Sequence, residues 1–184
     1  MQLDRILNGV APLGERPPVD QWTPELSGEM DLVIARDGRW IHEGSEITRA
    51  ELVCLFARIL RREDDGHYYL VTPIEKWRIA VEDHPFVVVD AEREGDAWAL
   101  MSNVGERVVL GHEHRLSVTE TPAAEAVPEV NLRLGLAARL GRNVFYRLAE
   151  HGELAAEGDR QTLGLTSGGV WQPLGRIDGA SEWG

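Results

Sequence analysis

Between His67 and Glu120 the chain is a succession of short β-prone runs, each closed by a turn signal. The runs are "HYYLVT", "KWRIAVE", "FVVVDAE", "AWALMSN", "ERVVLG" and "HRLSVTE", with breaks at "EDHP", "REGD" and "NVG". Runs of this length and spacing leave no room for helices between them, so this stretch reads as a β-meander. "KWRIAVE" alternates strictly, which puts Trp77, Ile79 and Val81 on one face and Lys76, Arg78 and Glu82 on the other.

Two helices interrupt this pattern. "ITRAELVCLFARILRRED" repeats Leu52, Leu55, Phe56, Ile59 and Leu60 at helical spacing. Thr48 and Glu51 form a capping box at its start. Arg61 and Arg62 favour its C-terminal dipole, and Asp64-Asp65-Gly66 ends it. "RNVFYRLAEHG" is a second, shorter helix. "DLVIARDGRWIHEG" reads as a hairpin turning at Asp37-Gly38, and "QTLGLTSGGVWQPLG" as a hairpin turning on its glycines. "VNLRLGL" alternates as a strand and "TPAAEAVPE" is a linker or loop. "LDRIL" suits a helical turn or two, and "GERPPVDQWTPELSG" is a proline-ordered loop that lays Trp22 on the body.

The two helices align without gaps at an offset of 93, with Ile47 over Leu140, Arg49 over Arg142 and Leu55 over Leu148. Strand-like flanks match on both sides. The reading is α+β, with two related halves from an internal duplication, each an antiparallel sheet with one helix. Its boundaries are an N-terminal extension (1–30), an N-terminal half (31–84), a C-terminal half (85–176) and a frayed tail (177–184). A junction between two halves is the natural place for a ligand.

Charge limits the partners. A formal net charge of −12 over 184 residues repels phosphate backbones and anionic membranes. No nucleic-acid polymer and no membrane are expected. A small anion in a local basic pocket, or a basic protein partner, remains compatible. No apolar run is long enough to span a bilayer or drive secretion, and the single Cys54 forms no internal disulfide. A cytoplasmic location is the default.

"WTPELSGEMDLVIARDG", the "TP-x-EK…VED-x-PF" segment and "RLGRNVFYRLAE" together resemble the signature of the bacterial DUF1285 family, over roughly Trp22 to Gly175. The resemblance implies a duplicated α+β core whose C-terminal half is like a pleckstrin-homology fold. It also implies a nucleotide-like ligand at the junction of the halves and a signalling role. It brings no catalytic residue and no cofactor.

The candidate chemistry is sparse. Glu82 and Asp83 are either a charged strand exit or a ligand-contacting loop; acid–base work needs two carboxyls converging on one atom, and neighbours on a strand do not converge. His112 and His114 share a strand face but lack a third metal ligand. Cys54 packs mid-helix with nothing to activate it. Arg49 and Arg142 each stand at a helix start, where free N–H groups and the dipole favour anions, or pair with a nearby carboxylate. The helix start at Gly141 to Asn143 is the freer. Lys76 supplies a charge and Tyr146 a ring beside it. The expected ligand residues are therefore Arg142, Tyr146, Arg49, Lys76, Glu82 and Asp83, with no catalytic residue, metal or cofactor. The preferred function is a non-enzymatic ligand-binding or signalling module; a protein–protein adaptor and a hydrolase are the alternatives.

Overall fold

Met30, Leu32 and Ile34 alternate with more exposed residues along the first strand and are almost fully buried, as a half-buried strand requires. The computed structural model describes Leu3, Ile6, and residues 16–120 and 126–177. It divides into two units: residues 1–85 with 133–136, and residues 86–132 with 137–184.

The first unit carries β1 (Gly28–Ile34), β2 (Trp40–His42), β3 (Ser45–Glu46), α1 (Ala50–Arg58), β4 (Leu60–Arg62), β5 (Tyr68–Val71) and β6 (Lys76–Val81). The six strands form one sheet in the order β3-β2-β1-β6-β5-β4. The turn from β1 to β2 is tightened by Asp37, which accepts hydrogen bonds from the Arg39 backbone N–H and Nε, while Gly38 takes a positive φ of 92°. Trp40 stacks on Phe56 of α1 with ring centroids 6.4 Å apart. That contact, with Ile59, Leu60 and Leu70, makes the core. Leu3 and Ile6 are helical and buried; the rest of the expected N-terminal turn lies outside the described residues.

The second unit carries β7 (Phe86–Glu94), β8 (Ala97–Ser102), β9 (Arg107–Val109), β10 (Leu116–Glu120), β11 (Ala126–Arg133), β12 (Leu136–Leu140), α2 (Arg142–Glu150), β13 (Glu153–Glu157), β14 (Arg160–Ser167) and β15 (Val170–Ile177). Its large sheet runs β10-β11-β12-β7-β8-β9, and β13-β14-β15 form a separate sheet. Gly168 and Gly169, at φ 56° and 79°, make the last hairpin turn.

The two large sheets share one plan. Each is a pair of three-stranded meanders, and the last strand of the second meander lies beside the first strand of the first. That central ladder is parallel in both, β1 with β6 and β7 with β12. The sheets are therefore mixed rather than wholly antiparallel. The duplication lies in this strand order and not in the helix alignment: α1 links β3 to β4 within one sheet, whereas α2 links β12 to β13 of different sheets. The superposition of Arg49 on Arg142 through matching strands is overturned for that reason. The helices resemble each other because both are amphipathic.

Local expectations are corrected in four places. Helix α1 ends at Arg58, and Arg61 and Arg62 belong to β4, since Ile59 and Leu60 suit a buried strand as well as a helix. The helix N-cap is Arg49 with no side-chain cap, so the box of Thr48 and Glu51 does not form. The supposed linker is strand from Ala126 onward, with Pro128 opposite Val118; residues 121–125 lie outside the described residues. "VNLRLGL" is a hairpin rather than one strand, because Leu134 and Gly135 both take positive φ. Of the expected tail, Ile177 ends β15 and residues 178–184 lie outside the described residues. Along β6, Trp77 and Ile79 are buried and Val81 is half-buried, with Lys76 and Arg78 half-buried and Glu82 exposed on the other face. No helix among the described residues is long and apolar enough to cross a membrane.

The small sheet is fastened to the large one by two fully buried polar side chains. Ser167 Oγ accepts from the Trp98 N–H at 2.7 Å and donates to the Leu110 carbonyl at 2.9 Å. Gln172 Oε1 accepts from the Leu116 N–H at 2.7 Å, and its Nε2 donates to the Gly111 carbonyl at 3.2 Å. Both side chains have 0% exposure. Replacing either with a residue that cannot form these bonds strands a backbone donor and a carbonyl away from water. Ser167→Ala and Gln172→Leu should each lower unfolding stability by about 1–3 kcal/mol, read as a fall in the urea midpoint. Exposed Ser117→Ala on the same sheet is the control and should leave it unchanged.

Candidate functional site

Strand register gathers charge on one face of the first unit's sheet. Arg61 of β4 lies opposite Tyr69 of β5, and Tyr69 lies opposite Arg78 of β6. Alternation adds Glu63 and Lys76 to the same face. This brings three cations together in an acidic chain, and their value as ligand contacts depends on how far each is already engaged.

Arg61 is saturated. It donates to the carbonyls of Val19 and Trp22 at 2.7 and 2.8 Å and pairs with Glu63. These bonds hold the loop before β1, including half-buried Trp22, against the strand. Lys76 is also engaged: its Nζ lies 3.0 Å from Glu63 Oε1 and 4.8 Å from the Tyr69 ring centroid. Tyr69 donates its hydroxyl to Asp65 Oδ2. That bond and burial push the phenol up to about 12, while it and the His67 backbone N–H hold the Asp65 carboxyl below its usual range.

Arg78 is different. Among the described residues it is held by one contact, Nη2 to His67 Nε2 at 3.0 Å, and by a loose approach of Glu29 at 3.7 Å. Its side chain is 37% exposed and that of Glu29 is 77% exposed. Beside it β1 and β6 part. Glu29 pairs with Arg78 and Val33 with Ala80, so three residues of β1 face Ile79 alone. The bulge interrupts the ladder and opens a cleft of about 390 Å³ walled by Met30, His67, Tyr68, Arg78 and Ile79. The guanidinium of Arg62 lies 5.3 Å from the Tyr68 ring centroid. A second cleft of about 480 Å³, beside Trp22, Arg61, Glu63 and Asp64, has its Arg61 already spoken for by carbonyls and carboxylate.

The expected site residues fall as follows. In the first unit Lys76 lies on the charged face but is bound to Glu63. Arg49 is the exposed N-cap of α1. Glu82 is exposed and accepts the Arg36 backbone N–H at 2.9 Å. Asp83 turns inward, its side chain 4% exposed and 3.1 Å from buried His84. The strand exit is thus only half wet, and the two carboxylates part rather than converge. In the second unit Arg142 is the exposed first residue of α2, after an N-cap Gly141 with no side-chain bond. Tyr146, one turn on, is 58% exposed and meets Phe145 edge-on. His112 and His114 sit in a bend rather than a strand, and His114 Nδ1 lies 2.9 Å from the Asn131 carbonyl oxygen. Among the described residues no group of three acidic, His or Cys side chains is placed to hold a metal. Sequence reasoning missed Arg78 and His67. The signal was available in part, since Arg78 alternates with Lys76, but the bulge beside it leaves no local mark.

Glu63 is the pivot of this face. Burial alone would raise its pKa; hydrogen bonds and charge from Lys76 and Arg61 outweigh that and hold the carboxyl below its usual range. A carboxyl depressed by folding adds stability that is complete above its unfolded pKa of about 4.3 and is lost as pH falls through the lower folded value. Glu63→Gln should therefore melt below the parent at neutral pH, and the gap should close in acid. Thermal melts across that range check this.

Models of the family match both units: "Domain of unknown function (DUF1285), N-terminal domain" over residues 17–84, and "Protein of unknown function (DUF1285), C-terminal domain" over residues 85–174. Two solved structures are similar. A DUF1285 family protein from Silicibacter pomeroyi DSS-3 is 38% identical, with a TM-score of 0.83 over 94% of this chain and 93% of that one. A DUF1285 family protein from Shewanella baltica OS155 is 29% identical, with a TM-score of 0.55 over 66% of this chain and 91% of that one. No curated protein matches the chain. With both family models matched end to end across the two units, the chain belongs to the DUF1285 family.

Proposed function

We propose that this protein is a non-enzymatic binding module for a small anionic, nucleotide-like ligand, with a signalling role. The observation that carries the reading is Arg78: a half-exposed guanidinium at the wall of a cleft, held by one imidazole and one loosely placed carboxylate. A guanidinium offers a planar fork that matches phosphate or carboxylate oxygens in a bidentate way. Displacing Glu29 costs little, because an exposed ion pair at such a distance contributes little. Tyr68 also lines this cleft. Divergence of Glu82 from Asp83 weighs against a hydrolase.

A second reading puts the anion at α2, where Gly141 leaves the first-turn N–H groups uncapped by any side chain and Arg142 stands exposed beside them. One experiment separates the two. After a thermal-shift screen of nucleotides, the best ligand is titrated calorimetrically into the parent, Arg78→Ala and Arg142→Ala. Loss of a charge-assisted contact of about 1.5–3 kcal/mol should weaken binding roughly tenfold to a hundredfold in Arg78→Ala and leave Arg142→Ala at parental affinity. The reverse pattern moves the site to α2. Parental affinity in both variants sinks the Arg78 reading.

A further inference from the structure

The contact that holds Arg78 constrains a proton. A guanidinium has only donors, so the 3.0 Å approach of Arg78 Nη2 to His67 Nε2 uses the lone pair of that nitrogen. In this contact Nε2 is the acceptor and turns its lone pair to the guanidinium. Adding a proton to Nε2 would abolish the bond and set two cations face to face.

An oxyanion in the cleft reverses this balance. It draws the guanidinium into a bidentate pair, which releases Nε2 of His67. The freed imidazole then faces an anion instead of a cation, and the charged form becomes the favoured one. The groups around His67 are of both signs. Asp65 in its own turn accepts the His67 backbone N–H at 2.9 Å, and Glu29 of β1 lies 3.7 Å from Arg78. Glu63 of the preceding turn binds the His67 carbonyl through its backbone N–H at 3.0 Å, its own carboxylate being turned to Arg61 and Lys76. Against these carboxylates stand Arg78 from β6 and Arg62, from β4, over the neighbouring Tyr68 ring. Arg78 is the one in direct contact with Nε2, so its transfer to a ligand dominates the change.

We infer that anion binding at Arg78 is coupled to protonation of His67: the cleft takes up a proton from solvent, onto Nε2, together with its ligand. The coupling rests on the anion-binding reading above and adds its regulation. A protein of this kind binds its anion more tightly as pH falls through the imidazole range, by up to about tenfold per pH unit for one coupled proton.

Inorganic sulfate is the probe, because it does not titrate in this range. The full-length chain is titrated with sodium sulfate by calorimetry at about pH 8 and about pH 5.5, on either side of the ordinary imidazole pKa of about 6.5, at fixed ionic strength. A pair of buffers of different ionisation heat near neutrality gives the number of protons taken up. The expected result is at least about tenfold tighter binding at the lower pH, with uptake of a substantial fraction of one proton. His67→Gln keeps an acceptor for Arg78 and cannot be protonated; it should bind sulfate equally at both pH values and take up none. Equal affinity and no proton uptake in the parent, or a pH dependence that survives in His67→Gln, overturns the coupling alone. No sulfate binding at either pH overturns the anion-binding reading itself, and the coupling with it.

Discussion

The central parallel ladder is the constraint on which each large sheet depends. Antiparallel neighbours can be joined by a turn, but parallel neighbours need a long excursion between them. Here the excursion is the rest of the sheet: the chain leaves the first strand, builds one meander outward, crosses, and builds the other meander back toward the start. β1 with β6 and β7 with β12 close this circuit. The crossing carries a helix in the first unit and none in the second. A helix is therefore an optional filling of the crossing, and strand order is what the two sheets hold in common.

The same ladder creates the cleft. A register slip of this kind places unequal lengths of chain opposite each other, and the longer side must bow. In the first unit β1 bows beside Arg78. In the second unit's large sheet the irregularity falls between β7 and β8, and Asp90 there accepts from its neighbour Ala91 and from Arg147 of α2. Beside that bulge a helix side chain forms a half-exposed ion pair. The other keeps an opening with a guanidinium on its wall. Among the cations of the charged face Arg78 is the least engaged, since Arg61 and Lys76 already spend their donors on Glu63 and on carbonyls.

How much of this was legible in the sequence follows from the range of each interaction. The short runs between turns were readable, because alternation and turn residues act within a few positions. The turns at Asp37-Gly38 and at Gly168-Gly169, and the α2 face of Val144 and Leu148, are of this kind. The end of α1 was not, because Ile59 and Leu60 satisfy both a helix stripe and a buried strand. Pro128 misled by suggesting a break where the strand tolerates it. The parallel ladders have no local signal at all. At the site, Lys76 and Arg78 look alike in sequence; only Glu63, brought from another strand, separates the spent cation from the available one. Gln172 was detectable, since it stands between Val170 and Leu174 on a buried face where an apolar residue is the norm.

The two buried side chains that fasten the small sheet also bear on how the second unit opens. The amides of Trp98 and Leu116 belong to the large sheet, yet each is capped by a side chain from the small one. Undocking the small sheet would remove both acceptors and expose the two amides to water, so each is protected only while the sheets stay together. Hydrogen exchange at these two amides would accordingly report the docking of the small sheet on the large one.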